Sequence, residues 1–198
     1  MMLVSNDTMP QVMQPDVSRI LVSLRDYMSR HPEEADAARM FTDFLNSHSA
    51  VFERAHPSGH FTGSAWLVSA DGARVLLMHH RKLDRWLQPG GHADGDVDLA
   101  RVALREAQEE TGVADLRVED GIFDIDRHRI PARANEAEHW HYDVRYVVRA
   151  GADDRFVING ESQALAWRSV ADVAADSSFD ASLRRMARKW SARDGDSV

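Results

Sequence analysis

Apolar residues recur at three- and four-residue intervals over residues 16–54 of the chain. Such spacing places their side chains on one face of a helix. Two stripes show it: Ile20, Leu21 and Leu24, and then Phe41, Phe44 and Leu45. We therefore predict an N-terminal helical extension over residues 16–55, preceded by a flexible lead at residues 1–15. The apolar stripes are expected to pack, either over the domain that follows or against a second copy in a homodimer.

After residue 56 the pattern changes to the short apolar segments that are typical of strands. Residues 61–68 and 74–80 flank Asp71-Gly72, a dipeptide that favours a hairpin turn. The other predicted elements are strands at about 115–129, 138–149 and 162–168, helices at 98–111 and 179–190, and a loop over 82–91. Strands and helices mixed in this order predict an α/β fold, a sandwich built on a mixed sheet, over residues 56–198.

Three carboxylates lie close together on the helix predicted at 98–111. Glu106, Glu109 and Glu110 are spaced at i, i+3 and i+4, which places them on one helix face. The apolar stripe that begins at Leu99 continues into this face, so the acids stand where a packed face ends. Unpaired charge is costly to bury, and hard cations such as Mg²⁺ prefer carboxylate oxygens. We therefore expect a cation in a cleft here, with a solvated acidic face as the alternative.

The residues around these carboxylates carry a longer motif. It runs from the loop Gly-Gly-His-Ala-Asp-Gly-Asp at 90–96 to the helix end at 112–113. In this stretch the chain resembles the Nudix hydrolase family, whose signature is G-x5-E-x7-R-E-U-x-E-E-x-G-U, with U a bulky aliphatic residue. Seven of the nine defined positions match at the correct spacing: Gly91, Arg105, Glu106, Glu109, Glu110, Gly112 and Val113. The resemblance covers roughly residues 60–175. The sequence of the GGHADGD loop resembles that of one subgroup of the family.

The resemblance implies a Nudix-type α/β/α sandwich and a metal-dependent hydrolase. By the family pattern, the carbonyl of Gly91 and the carboxylates of Glu106, Glu109 and Glu110 would bind Mg²⁺ or Mn²⁺. Arg105 would orient a glutamate of the motif. The catalytic residues would be the three glutamates and Arg105. The implied reaction is hydrolysis of a diphosphate linkage in a nucleoside diphosphate linked to another group. ADP-ribose, dinucleotides, sugar nucleotides and modified nucleoside triphosphates all stay open as substrates.

Two motif positions depart from the signature. Val97 stands where the family has its first glutamate, and the small residue Ala107 stands where the family has a bulky aliphatic residue. That glutamate usually braces the loop and the family arginine, so Asp96 and Asp98 are candidates to brace Arg105 instead. Val97 also supports an alternative function, a Nudix-fold binding or regulatory module with little or no turnover.

Several residues outside the helix are candidates for contact with a phosphorylated substrate. Gly90, Gly91 and His92 belong to the glycine-rich loop, and Arg81 lies shortly before it. Nudix enzymes often use one more carboxylate from outside the motif, for which the chain offers three candidates: Glu136, Glu138 and Glu161.

Polar and apolar residues alternate along the strand predicted at 138–149. One face carries His139, His141, Asp143 and Arg145, and the other carries aromatic residues that we assign to the core. The polar face is either a solvated surface or a cleft wall. In the second case His141 and Arg145 are candidate substrate-binding residues, because histidine often binds metal and arginine binds phosphate through two N–H groups.

Composition limits the partners of the chain. The net charge of −8 argues against a general nucleic-acid surface, which would be basic. It does not argue against a small phosphorylated nucleotide derivative, whose charge a bound cation offsets. The absence of cysteine excludes disulfides and a cysteine nucleophile. No apolar run is long enough to span a bilayer and the first residues lack a signal-peptide pattern, so we expect no membrane partner and a cytoplasmic location.

Overall fold

Two helices precede the sheet in the computed structural model, which describes residues 15–133, 137–158, 160 and 162–195. They are α1 (Pro15–Arg30) and α2 (Ala35–Ser47), joined through a 3₁₀ turn at Pro32–Glu34. Their buried side chains join the same core as the sheet: Ile20, Leu24, Tyr27, Phe41 and Leu45. The predicted helical extension is therefore present and covers the sheet. Residues 1–14 of the predicted flexible lead lie outside the described residues.

Eight strands form one mixed sheet in the part of the chain that the structure describes. They are β1 (Gly59–Val68), β2 (Arg74–His80), β3 (Arg85–Leu87), β4 (Gly90–His92), β5 (Leu116–Val118), β6 (Asp124–Ile130), β7 (His139–Ala150) and β8 (Ser162–Ser169). The central pair, β1 and β7, is parallel over the whole of β1, and the other pairs are antiparallel. Strand β4 pairs with β1 at Thr62–Ser64, so the glycine-rich loop is tied to the centre of the sheet.

Short strands account for the differences from the predicted elements. The stretch 82–91, which was expected to be a loop, contains β3 and most of β4. The strand predicted at 115–129 is two strands, β5 and β6, because the chain turns between them at Gly121, where φ is +83°. Glycine adopts such a positive φ without the steric penalty of other residues. The hairpin strands β1 and β2 are confirmed.

Helices cover both faces of the sheet. Helix α3 (Leu99–Thr111) packs on the same face as α1 and α2, whereas α4 (Val170–Ala175) and α5 (Ala181–Gly195) pack on the opposite face. This arrangement confirms the α/β/α sandwich with a mixed sheet. Asp98 caps the start of α3 by accepting the N–H of Arg101, and Gly112 ends it at a φ of +66°. Among the described helices, none is long and apolar enough to cross a membrane.

Arg145 lies inside the protein and is paired with three aspartates. Its side chain is 3% exposed. The guanidinium donates to Asp143 at 2.7 Å and to Asp124 at 3.2 Å, and it lies 3.3 Å from a carboxylate oxygen of Asp126. A desolvated charge is tolerated only when it is paired and hydrogen-bonded. Arg145, which was expected to be a candidate substrate contact, is thus enclosed by carboxylates of the protein itself.

Helix α5 brings two more cations to these aspartates. Arg185 and Lys189 each donate to a carboxylate oxygen of Asp124 at 2.7 Å. Lys189 also donates to Glu34 at 2.7 Å, so it joins α5 to the turn after α1. Burial by itself would raise the pKa of Asp124, but the hydrogen bond from Arg185 and the charges of Arg145 and Lys189 hold that pKa below its ordinary value. Asp124 therefore stays charged, and its ion pairs bind α5 to the sheet.

We predict that Arg145→Met destabilises the protein strongly. The substitution leaves three buried or half-buried carboxylates without a shared cation, a change that costs about 3–5 kcal/mol in comparable buried pairs. Urea unfolding measures the loss. The matched control is Arg155→Met, because Arg155 pairs with Asp153 at the exposed surface, where an ion pair contributes at most about 1 kcal/mol. Equal effects of the two substitutions would contradict the structural role assigned to Arg145.

Candidate functional site

The glutamates of α3 meet the glycine-rich loop at β4. Glu110 is only 7% exposed, and its Oε2 accepts the backbone N–H of Gly90 at 2.9 Å. The carboxylate of Glu106 lies directly against Gly91, where a Cβ atom would be 2.5 Å from the carboxyl carbon. Glu109 is exposed. Only glycine permits this close approach, which places the loop backbone beside the carboxylates.

Arg105 joins the same helix to the same loop. Its guanidinium donates to Oε1 of Glu106 at 2.7 Å and to the carbonyl oxygen of His92 at 3.0 Å. The hydrogen bond to Glu106 raises the pKa of Arg105, because it stabilises the charged form. Arg105 thus holds one carboxylate in place and fixes the end of β4.

Val97, which departs from the signature, packs against the apolar core. Its neighbours Asp96 and Asp98 were the candidates to brace Arg105. Asp96 instead accepts two hydrogen bonds from the guanidinium of Arg101, at 2.6 and 2.8 Å, and Asp98 accepts the backbone N–H of the same residue. Arg105 is therefore held by the hydrogen bonds that it donates to Glu106 and to the His92 carbonyl, and not by a hydrogen bond to either aspartate.

The donor atoms at this end of α3 suit a hard divalent cation. Mg²⁺ binds carboxylate oxygens, fills further positions with water and prefers a substrate phosphate in its shell. Glu109 is exposed and Glu106 is half-buried. The loop backbone at Gly91 lies beside them. These residues, with Glu110, fit the predicted Mg²⁺ or Mn²⁺ site in donor chemistry.

Strand β4 separates the carboxylates from a second polar region. Alternate residues of a strand face opposite sides of the sheet. Gly91 faces Glu106 on α3, whereas a Cβ at Gly90 would point at the hydroxyl of Ser64 on the other side. His92 shares the side of Gly90. The carboxylates and the His92 ring therefore lie on opposite sides of the sheet.

Polar residues of β1 and β7 are buried on the His92 side. Asp143 is 2% exposed and accepts hydrogen bonds from the hydroxyls of Thr62 at 2.9 Å and Ser64 at 2.7 Å. It also accepts from Nε of Arg145. The central part of the alternating strand is thus neither a solvated surface nor an open cleft wall. It is an internal hydrogen-bonded layer that links β1 to β7.

A cluster of histidines lies where this layer reaches β4. Its five members are His60, His92, His128, His139 and His141. The ring centroid of His60 is 5.0, 4.9 and 4.7 Å from the rings of His92, His139 and His141. Burial and the neighbouring histidines lower the pKa of His60 to about 4 and that of His141 to about 2. Both rings are therefore neutral at neutral pH.

Other predicted site residues are engaged elsewhere. Arg81 is exposed beyond the end of β2, and its guanidinium lies 3.5 Å from the carbonyl oxygen of Ser162 on β8. Arg145 is enclosed by the aspartates described above. The structure thus brings together the helix that carries Arg105 and the glutamates and the residues of β4. Arg81 and Arg145 do not join this group.

Of the three candidates for an extra carboxylate, Glu138 lies among the described residues. Glu138 forms an ion pair with Arg129 on the neighbouring strand β6. Glu136 and Glu161 lie outside the described residues. Glu138 is thus paired with a cation of the sheet.

Sequence reasoning missed His60. The signal was present, because polar residues alternate from His60 through Thr62 to Ser64 just as they do from His139 to Arg145. The parallel register of β1 and β7 then places His60 beside His141. Strand pairing, which the sequence does not show, is what turns two separate alternations into one cluster.

Known protein families and solved structures share the fold of this chain. A family model described as NUDIX domain matches residues 60–190 of the chain. Solved structures similar to it include a hydrolase of the NUDIX family from Clostridium perfringens, with a TM-score of 0.54 and 24% identity over 68% of this chain and 97% of that one. A C. elegans Ap4A hydrolase has a TM-score of 0.55 and 18% identity over 69% and 98% of the two chains.

A third similar structure is the E. coli dihydroneopterin triphosphate pyrophosphohydrolase, with a TM-score of 0.52 and 16% identity over 67% of this chain and 95% of that one. At these identities the likeness shows the fold. No curated protein matches the chain.

We predict that Gly91→Ala weakens binding of Mn²⁺, a spectroscopic substitute for Mg²⁺. The added methyl group would overlap the carboxylate of Glu106 and displace it, and we expect the affinity to fall at least about tenfold, as it does when a metal ligand loses its support. Electron paramagnetic resonance titration of free Mn²⁺ measures the change. Gly160→Ala is the control, since nothing lies within 4 Å of a Cβ there. Unaltered Mn²⁺ binding by a folded Gly91→Ala protein would remove Gly91 and Glu106 from the site.

Proposed function

Because the chain belongs to the NUDIX family, we propose that it hydrolyses a diphosphate linkage in a nucleoside diphosphate linked to another group, with Mg²⁺ or Mn²⁺ as cofactor. The observation that carries the proposal is the contact of Glu110 with Gly90 and of Glu106 with Gly91, with exposed Glu109 on the same helix. Three carboxylates of one helix beside a loop backbone provide oxygen ligands that leave positions for a substrate phosphate.

The residues of the site have separable tasks in this proposal. Glu110, through the N–H of Gly90, holds the loop at a fixed distance from α3. Arg105 keeps the Glu106 carboxylate turned toward the loop. Exposed Glu109 accepts the proton of the attacking water at a carboxylate oxygen. When bound, the divalent cation neutralises charge on the diphosphate and lowers the pKa of water.

The loop backbone from Gly90 to His92 forms the substrate side of the proposed site. Gly91 carries no side chain on the side of α3 and Gly90 carries none on the other side, so a phosphate can approach the main chain of the loop. His92 follows directly, and its carbonyl is fixed by Arg105. Arg81 and Arg145 are left out of this set, because the first reaches β8 and the second is buried among aspartates.

The comparisons support the same chemical class. The names of two similar proteins give Ap4A and dihydroneopterin triphosphate as their substrates. We extend to this chain only the class, a small phosphorylated compound. The net charge of −8 is compatible with such a substrate because the cation, and not a basic surface, offsets its charge.

The missing signature glutamate at Val97 is the reason to consider a second candidate function, a binding or regulatory module with little turnover. In the structure Val97 packs into the core, and Arg105 has hydrogen bonds to Glu106 and to the His92 carbonyl without it. The arginine is thus held although the signature glutamate is missing. This arrangement supports the hydrolase over the binding module.

We predict that Glu109→Gln and Glu110→Gln each lower kcat by on the order of 100-fold or more, since both remove a charged oxygen donor from the site. Turnover of a diphosphate-containing substrate with Mg²⁺, together with melting temperature, measures the effect. Glu33→Gln is the matched control, because Glu33 is exposed in the turn after α1. Wild-type rates in either motif variant would refute the assignment.

We predict that Val97→Glu changes kcat/KM by less than about tenfold, equivalent to ~1.4 kcal/mol. The expected reason is that Arg105 already has two hydrogen-bond acceptors. Steady-state kinetics of both proteins provide the comparison. An increase of several orders of magnitude would instead identify the natural chain as the binding module.

A further inference from the structure

We propose that His60, His92 and His141 bind a divalent transition-metal ion of the zinc class, at a site distinct from the carboxylates of α3. Each of the three histidines offers one ring nitrogen, and these ligand atoms all lie within 4.8 Å of one another. The proposal does not depend on the hydrolytic function, because it concerns a different set of donors on the other side of β4.

The spacing of the three nitrogens is close to that of a bound ion. With Zn–N bonds of about 2.0–2.1 Å, the nitrogens of a tetrahedral site lie about 3.4 Å apart. Each ring therefore has to move by less than about 1 Å to reach a common ion. Three strands hold the rings: β1 carries His60, β4 carries His92 and β7 carries His141. A fourth position remains for water or another ligand.

His60 provides a second and independent observation. It is 0% exposed, yet neither of its ring nitrogens has a hydrogen-bond partner in the described structure. Buried polar atoms nearly always have a partner, because an unpaired one costs free energy. A metal ion coordinated between the three rings would use one of these nitrogens. His92 and His141 are both partly exposed, whereas His60 is fully buried.

His139 supports the site from outside. Its Nδ1 lies 2.9 Å from the carbonyl oxygen of Ala137, and its Nε2 lies 3.3 Å from Nε2 of His141. A carbonyl that accepts Nδ1–H leaves the lone pair on Nε2. Outer partners of this kind set the tautomer and the orientation of metal-binding histidines. His139 thus restricts the ring of His141 to one geometry.

Ligand chemistry separates this site from the carboxylate site. Imidazole nitrogens select Zn²⁺ and similar transition metals, whereas carboxylates and carbonyls suit Mg²⁺ and Mn²⁺. The two sites are linked through His92, whose ring belongs to the cluster and whose carbonyl accepts from Arg105. An ion held by the cluster would therefore also restrain the end of β4 that borders the carboxylates.

The test is metal binding by the full-length protein after treatment with a chelator. Zn²⁺ is titrated by calorimetry in excess Mg²⁺, which occupies carboxylates but not imidazoles. Co²⁺ is added in parallel, since its visible absorption reports nitrogen ligation in a tetrahedral site. We expect one Zn²⁺ per chain, a higher melting temperature with Zn²⁺, and the Co²⁺ absorption bands.

Variants identify the ligands. His92→Gln and His141→Gln should each lower the Zn²⁺ affinity at least about tenfold, a loss seen even when only an outer partner is removed, and should abolish the Co²⁺ bands. His79→Gln is the control, because His79 lies on β2 near Asp84 and outside the cluster. Two variants are used so that one failing to fold does not end the test.

Three results would overturn the proposal. The first is the absence of Zn²⁺ binding in excess Mg²⁺. The second is Zn²⁺ binding that both folded cluster variants retain at the affinity of the His79→Gln protein. The third is Zn²⁺ binding that Glu109→Gln abolishes and the histidine variants do not, which would place the ion at the carboxylates.

Discussion

The pairing of one buried cation, Arg145, with aspartates determines how the strands at the centre of this protein are arranged. Arg145 is almost fully removed from water, so its guanidinium requires the carboxylates of Asp124, Asp126 and Asp143. Asp143 in turn accepts hydrogen bonds from two hydroxyls of β1, which couples the register of β1 and β7 to the pairing of the charge. Strand β4 pairs with the same part of β1. The position of the glycine-rich loop therefore depends on a charge that lies well away from it in sequence.

The sheet also divides two kinds of chemistry. On the side of α3, oxygen donors from the glutamates meet the loop backbone at Gly91. On the other side, imidazole rings from three strands meet around His60. Because a strand presents alternate residues to opposite sides, adjacent residues of β4 serve different sites. Arg105, bound to Glu106 and to the carbonyl of His92, is the direct connection between them.

The sequence could predict those features that depend on local pattern. The helix predicted at 98–111 and the apolar stripe that begins at Leu99 depend on local pattern, and both are confirmed. The strands β3 and β4 are three residues long, too short for alternation to be visible, so the segment was expected to be a loop. Arg145 looked like a surface or cleft residue because alternation identifies a face but not what covers it. The cover is α5, some 40 residues later in the chain, and only the tertiary fold brings Arg185 and Lys189 to the same aspartates.

Attack of water on a diphosphate linkage at the glutamates of α3 is the proposed reaction. It is tested most directly by incubating the protein and Mg²⁺ in ¹⁸O-labelled water with nucleoside diphosphates linked to sugar, nucleoside or other groups. Mass spectrometry then identifies the products. We expect cleavage of the diphosphate into two phosphorylated products, with one ¹⁸O atom in a phosphate of one of them, and no cleavage after chelation of the metal. Absence of product across these compounds, or cleavage that puts no label in phosphate, would contradict it.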